Sequence, residues 1–235
     1  MDLAEKALDR RQFLKLSSTV SLSLALALAN KLEAQDMPAE ITSISASELS
    51  LAIRRKDIRC VEVMQAYLQR IHRYNPLYNA IVSMVDDAAL MQQAEQADRA
   101  LDKGEYWGWM HGMPHAVKDL ADARGLESSY GSRIFAGTVA TQDNLHIARI
   151  RAQGAIFIGK TNTPEFGLGS QSYNEVHGTT RNAYNPSLVA GGSSGGAATG
   201  LAAQLLPSAD GSDMMGSLRN PAAFNNVVGF RPSQG

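Results

Sequence analysis

Two serine-bearing glycine turns and one lysine at the end of an apolar stretch have the residue types that nucleophilic chemistry needs. The first turn is Gly191-Gly192-Ser193-Ser194-Gly195-Gly196, and the second runs Asp213-Met214-Met215-Gly216-Ser217. Glycines around a serine let the backbone approach a substrate closely and aim N–H groups at it. A serine hydroxyl is a weak nucleophile and needs a base. Lys118 follows Ala116 and Val117. Partial burial there brings a lysine from about 10.4 toward roughly 7–8, where the neutral amine can act as that base. Asp119 is adjacent but points the opposite way if the strand continues.

Three other patterns fail on mechanism. Gly154 to Thr161 has the spacing of a phosphate-binding loop. Its middle residues, Ala155, Ile156, Phe157 and Ile158, read as a buried strand and not as a flexible loop. Lys160 is then structural or a pocket-rim residue. His111 and His115 are four apart, but Gly112 and Pro114 between them remove any shared helical face. No carboxylate or thiol cluster completes a metal site there. Gly191 to Gly195 matches the nucleophile elbow, whose histidine must follow the serine. The last histidine is His177, which precedes it.

The stretches Gly112 to Asp119, Gly159 to Phe166, Gly191 to Gly196, Asp213 to Arg219 and Gly229 to Pro232 together resemble the amidase signature family. Lys118 and Ser193 are 75 residues apart, and Ser193 and Ser217 are 24 apart, spacings similar to that family's. The resemblance implies an α/β fold, a mixed β-sheet covered by helices on both faces. It also implies a Ser-Ser-Lys triad. Ser217 is then the nucleophile, Ser193 the bridging serine in a cis peptide, and Lys118 the neutral base. Backbone N–H groups of Met214, Met215, Gly216 and Ser217 form the oxyanion hole. No metal or organic cofactor is needed. Ser194 rivals Ser193, and Ser212 rivals Ser217. The family usually has Gly-Gly before the nucleophile, and here Met215-Gly216 stands there. The Met215 side chain narrows the pocket, or distorts the turn if that position needs φ > 0. Family members are far longer, so a C-terminal half with much of the sheet and acyl pocket is expected to be missing.

Elements that would position these residues can be read from spacing. Ser45 and Glu48 form a capping box that opens a helix to about Lys56. Val61, Met64, Tyr67, Leu68 and Ile71 recur at helical spacing, and Asn75-Pro76 is expected to stop that helix. A strand is expected over 79–85, and a helix carries Leu90, Ala94, Ala97 and Leu101 to Gly104. A strand ends at Lys118. A helix spans 144–153, a strand 155–158, an Ala-rich helix follows Gly196, and a strand lies near Leu205-Leu206. This places a helical region at 30–111 and a core at 112–235.

Composition agrees with a packed domain, with 44% hydrophobic and 19% charged residues. A net charge of −1 gives no basic field for nucleic acid. Cys60 is the only cysteine, which excludes an internal disulfide and reads as a buried thiol. Residues 1–29 have the layout of a signal peptide, with Arg10-Arg11 ahead of an uncharged stretch similar to a twin-arginine signal. This implies a periplasmic or secreted protein, with a cytoplasmic location as the alternative. The expected partner is a small-molecule amide, with no nucleic acid and no membrane in the mature form. A homodimer is left open. The expected function is amide hydrolysis through a serine acyl-enzyme. The alternatives are the amidase subunit of a tRNA-dependent amidotransferase, or a truncated, non-catalytic remnant.

Overall fold

Ser45 accepts a hydrogen bond from the Glu48 N–H, and Glu48 reaches back to the Ser45 N–H, so helix α1 (Ala46–Arg55) opens on the expected capping box. The computed structural model describes residues 40–233. The expected signal peptide at 1–29 lies outside the described residues. Helix α2 (Cys60–Tyr78) buries the stripe Val63, Met64, Tyr67, Leu68 and Ile71. It does not stop at Asn75-Pro76. Pro76 falls in the last turn, the Asn79 N–H still reaches the Asn75 carbonyl at 2.7 Å, and Asn79 ends the helix at φ 50. The Asn75 side chain then closes the turn. It accepts from the N–H groups of Ala80 and Ile81 and donates to the Ile81 carbonyl.

The strand expected over 79–85 contracts to β1 (Ile81–Val82), because Ser83 takes φ 46 and breaks the extended run. Helix α3 (Asp87–Asp102) follows, and Gly104 closes it at φ 84. Its Asp98 caps the neighbouring helix, accepting from the N–H groups of Cys60 at 2.7 Å and Val61 at 3.3 Å. Cys60 is fully buried, as read from the sequence, and burial pushes its thiol pKa up.

Strand β2 (Pro114–Lys118) ends at Lys118. After helix α4 (Leu145–Ala152), strand β3 (Ile156–Thr161) runs past the expected end at residue 158, to take in Lys160 and Thr161. The sheet order is β1-β3-β2, with β3 antiparallel to β1 and parallel to β2. Helix α5 (Gly195–Ala202) packs against all three strands, while α2 and α3 pack on each other and on β2 and β3. The fold is therefore α/β, a mixed sheet with helices on both faces. A small hairpin pairs β4 (Tyr173–Asn174) with β5 (Gly178–Thr179).

Leu205-Leu206 is not a strand. Gln204 takes φ 58, and the Leu205 N–H returns to the Gly200 carbonyl, so both leucines are buried in the turn that closes α5. Helix α6 (Arg219–Phe224) was not anticipated from the sequence. Pro221 lies in its first turn, where a missing N–H costs nothing.

Gly196 sets how closely α5 approaches the sheet. A Cβ there would overlap the Asn162 nitrogen and the Ala80 carbonyl oxygen. Gly196→Ala is therefore expected to destabilise the full chain by about 3 kcal/mol, measured by urea denaturation.

Candidate active site

Strand β2 delivers Lys118 to the interior, where it is 1% exposed. Its Nζ lies 2.7 Å from Ser193 Oγ, 2.8 Å from Ser194 Oγ and 2.9 Å from Ser212 Oγ. Burial lowers its pKa to about 7, while the charges of Asp210 and Asp213 act in the opposite sense. A neutral amine has two N–H groups and a lone pair. With three hydroxyls around it, it can donate twice and receive a proton from the third. Ser193 and Ser194 come from the glycine turn that opens α5, and the Gly192–Ser193 peptide is cis. Both rivals weighed from the sequence, Ser194 and Ser212, thus touch the lysine together with Ser193.

Ser217 sits in the neighbouring turn. Its carbonyl accepts from the Ser194 N–H at 2.9 Å. Among the described residues, its hydroxyl has no hydrogen-bond partner. The structure therefore joins Lys118 to Ser193, and joins Ser217 to this pair through the main chain. It does not bring the Ser193 and Ser217 hydroxyls within hydrogen-bonding distance.

The turn is built on Asp213, whose side chain is buried. It accepts from the N–H of Gly216 at 2.7 Å, Leu218 at 3.3 Å and Arg219 at 3.2 Å, and from Arg219 Nε at 2.8 Å. The Arg219 hydrogen bond is the largest cause holding its pKa below the usual carboxylate range. One expectation is corrected here. The Gly216 N–H is committed to Asp213 and does not face an oxyanion. The N–H groups of Met214, Met215 and Ser217 donate to no group among the described residues. The positive φ of the turn falls on Gly216, at 106, and not on Met215. Met215 is therefore accommodated without backbone strain, with its side chain 87% exposed. It lines an open groove of about 410 Å³ with Leu168, Ser170, Gly192, Met214 and Ser217.

The rejected patterns have structural explanations. Lys160 is fully buried on β3 and donates to the Ala121 carbonyl at 2.6 Å and to Ser128 Oγ at 3.0 Å, with Asp119 at 3.5 Å. Asp119 points away from Lys118, as strand alternation requires. It accepts from the N–H and hydroxyl of Ser129 and from the Gly131 N–H. His111 bonds the Ala97 carbonyl and accepts from the Trp107 N–H, while His115 bonds Asp210. Both histidines are buried. Nothing in the sequence singles out Asp210. Asp213 appeared there only inside a motif, although an Asp ahead of a glycine in a turn is an Asx-turn signal.

A family model described as Amidase matches residues 62–235. The chain belongs to the amidase signature family. It is 40% identical over 189 residues to a glutamyl-tRNA(Gln) amidotransferase subunit from Methylococcus capsulatus, covering 80% of this chain and 39% of that protein. It is 38% identical over 192 residues to an acylamidase from Rhodococcus erythropolis, covering 82% and 40%. The crystal structure of a bacterial aryl acylamidase of the amidase signature enzymes superposes with a TM-score of 0.77 at 32% identity, over 81% of this chain and 39% of that one. The chain thus spans about two-fifths of the length of these amidase signature relatives.

Asp213→Ala removes charge-assisted bonds to three main-chain N–H groups and an arginine. A loss of roughly 2–3 kcal/mol is expected, read as a lower urea midpoint. Asp213→Asn should recover part of it.

Proposed function

We propose that this chain carries the catalytic centre of an amide hydrolase. The observation that carries the reading is a buried Lys118 amine 2.7 Å from Ser193 Oγ, beside the turn that holds Ser217. Ser217 Oγ attacks the amide carbonyl carbon, and its proton passes through Ser193 to neutral Lys118. Hydroxyl contacts of this kind commonly tighten only when substrate is bound. The negative charge on the carbonyl oxygen is met by N–H groups of Met214, Met215 and Ser217, in a turn held by Asp213. The C–N bond then breaks, and the leaving amine takes the proton back from Lys118 through Ser193. Water attacks the Ser217 ester with Lys118 again as base, releasing carboxylate and restoring the serine.

The substrate proposed is a small-molecule amide, and the acylamidase names among the relatives favour it. A second reading is an amidotransferase subunit that uses the same steps to release ammonia for a partner. The name of the Methylococcus relative favours that one. The Arg10-Arg11 pattern leads us to propose an exported protein, periplasmic or secreted, which supports the first reading over the second.

A fluorophosphonate probe tests the chemistry. Purified full chain should be labelled, Ser217→Ala should not, and Lys118→Ala should label about 10²–10⁴-fold more slowly. The native labelling rate should rise as pH climbs through about 7, because protonated Lys118 cannot act as base. A native chain left unlabelled, or equal labelling of Ser217→Ala, would overturn the proposal.

A further inference from the structure

Among the described residues, strand β2 has one side without a strand neighbour. On the other side lies β3, and the Asp119 N–H reaches the Thr161 carbonyl across it at 3.1 Å. Main-chain N–H groups alternate along a strand, so the Lys118 N–H points outward from the sheet edge. A buried N–H left unpaired there would cost about 1–3 kcal/mol. The Asp210 carboxylate meets it at that edge. Its Oδ1 and Oδ2 accept from the Lys118 N–H at 3.1 Å and 3.3 Å. The same Oδ1 accepts from His115 Nε2 at 3.0 Å, and the two side chains are 3% and 9% exposed.

A neutral carbonyl would satisfy that N–H without burying a charge, which is costly. The carboxylate does something more. Burial alone would raise the Asp210 pKa, but the His115 and Lys118 N–H hydrogen bonds outweigh it and hold it below the ordinary carboxylate range. The site therefore contains a negative charge hydrogen-bonded to the lysine's own main-chain N–H.

We propose that the His115–Asp210 pair is a positioning device for Lys118. Asp210 pins the lysine's main chain at the open strand edge and supplies the negative charge that lets Nζ take a proton. His115 keeps that carboxylate ionised. The inference rests on the amidase reading, in which Lys118 must both take and return a proton. Burial pulls the amine down, and Asp210 followed by Asp213 oppose that pull. A base is most effective with its pKa near the working pH, so desolvation without these charges would leave the amine too weak. The other groups around Lys118 Nζ are the hydroxyls of Ser193, Ser194 and Ser212. His146 of α4 and Lys160 of β3 act on Asp210 through space.

The test is the titration of Lys118 itself, followed by the ¹³Cε shift in ¹³C-lysine-labelled full chain and assigned with Lys118→Arg. Asp210→Asn keeps the size and the acceptor while removing the charge. Its Lys118 midpoint should fall by about one unit or more. The double variant His115→Gln/Asp210→Asn, which restores an uncharged hydrogen-bonded pair, should show the same fall. An unmoved midpoint in either folded variant overturns the proposal, and so does a native chain whose Lys118 titrates in the ordinary lysine range. A shifted midpoint in a chain that the fluorophosphonate probe never labels would sink the amidase reading and leave the role of the pair standing.

Discussion

A lysine amine held in the protein interior without a directly bonded carboxylate is the constraint on which the rest of the structure depends. Nζ of Lys118 is surrounded by hydroxyls, and the Asp210 and Asp213 carboxylates engage main-chain N–H groups, His115 and Arg219 instead. Desolvation then lowers its pKa, against the opposing charges of Asp210 and Asp213. To hold it there, β2 must end at residue 118, α5 must begin directly after its two serines, and the 212–217 turn must fold over them. Glycines permit the close approaches, at Gly196 against the sheet and at Gly216 in the turn. Asp213 supplies the hydrogen bonds that an irregular turn would otherwise lack.

Lys160 makes the contrast plain. It is as deeply buried, and burial lowers its pKa too. Its partners, however, are a carbonyl, a hydroxyl and a nearby carboxylate. A carbonyl and a carboxylate can only accept, so they fix an amine as a donor. Hydroxyls can donate as well as accept, so the surroundings of Lys118 suit either protonation state. One buried lysine stitches loops to the sheet, and the other is free to exchange a proton.

Much of this was legible in the sequence because it is local. The Ser45–Glu48 box, the helical stripe of α2, the end of β2 at Lys118 and the glycine turns are all carried by neighbours in the chain. What was not legible depends on distant contacts. Pro76 did not stop α2, because the Asn75 side chain closes a further turn. Leu205-Leu206 had the composition of a strand but packs as the end of α5, and the 79–85 segment lost its strand character at Ser83. Asp210 looked like an ordinary loop residue, since its meaning comes from a strand edge 92 residues earlier. Resemblance alone puts the Gly216 N–H in the oxyanion hole, and only the fold shows that Asp213 takes it.

The buried, readily deprotonated lysine is the central claim, and urea denaturation of the native chain beside Lys118→Met, from pH 7 to pH 10, tests it most directly. Burial lowers the folded lysine's pKa to about 7, against about 10.4 in the unfolded chain. Between these values the unfolded chain binds one more proton, so Lys118 makes stability rise with pH. The native chain should gain on Lys118→Met by up to about 1.4 kcal/mol per pH unit across that window. Two stability curves that stay parallel from pH 7 to pH 10 would contradict the account.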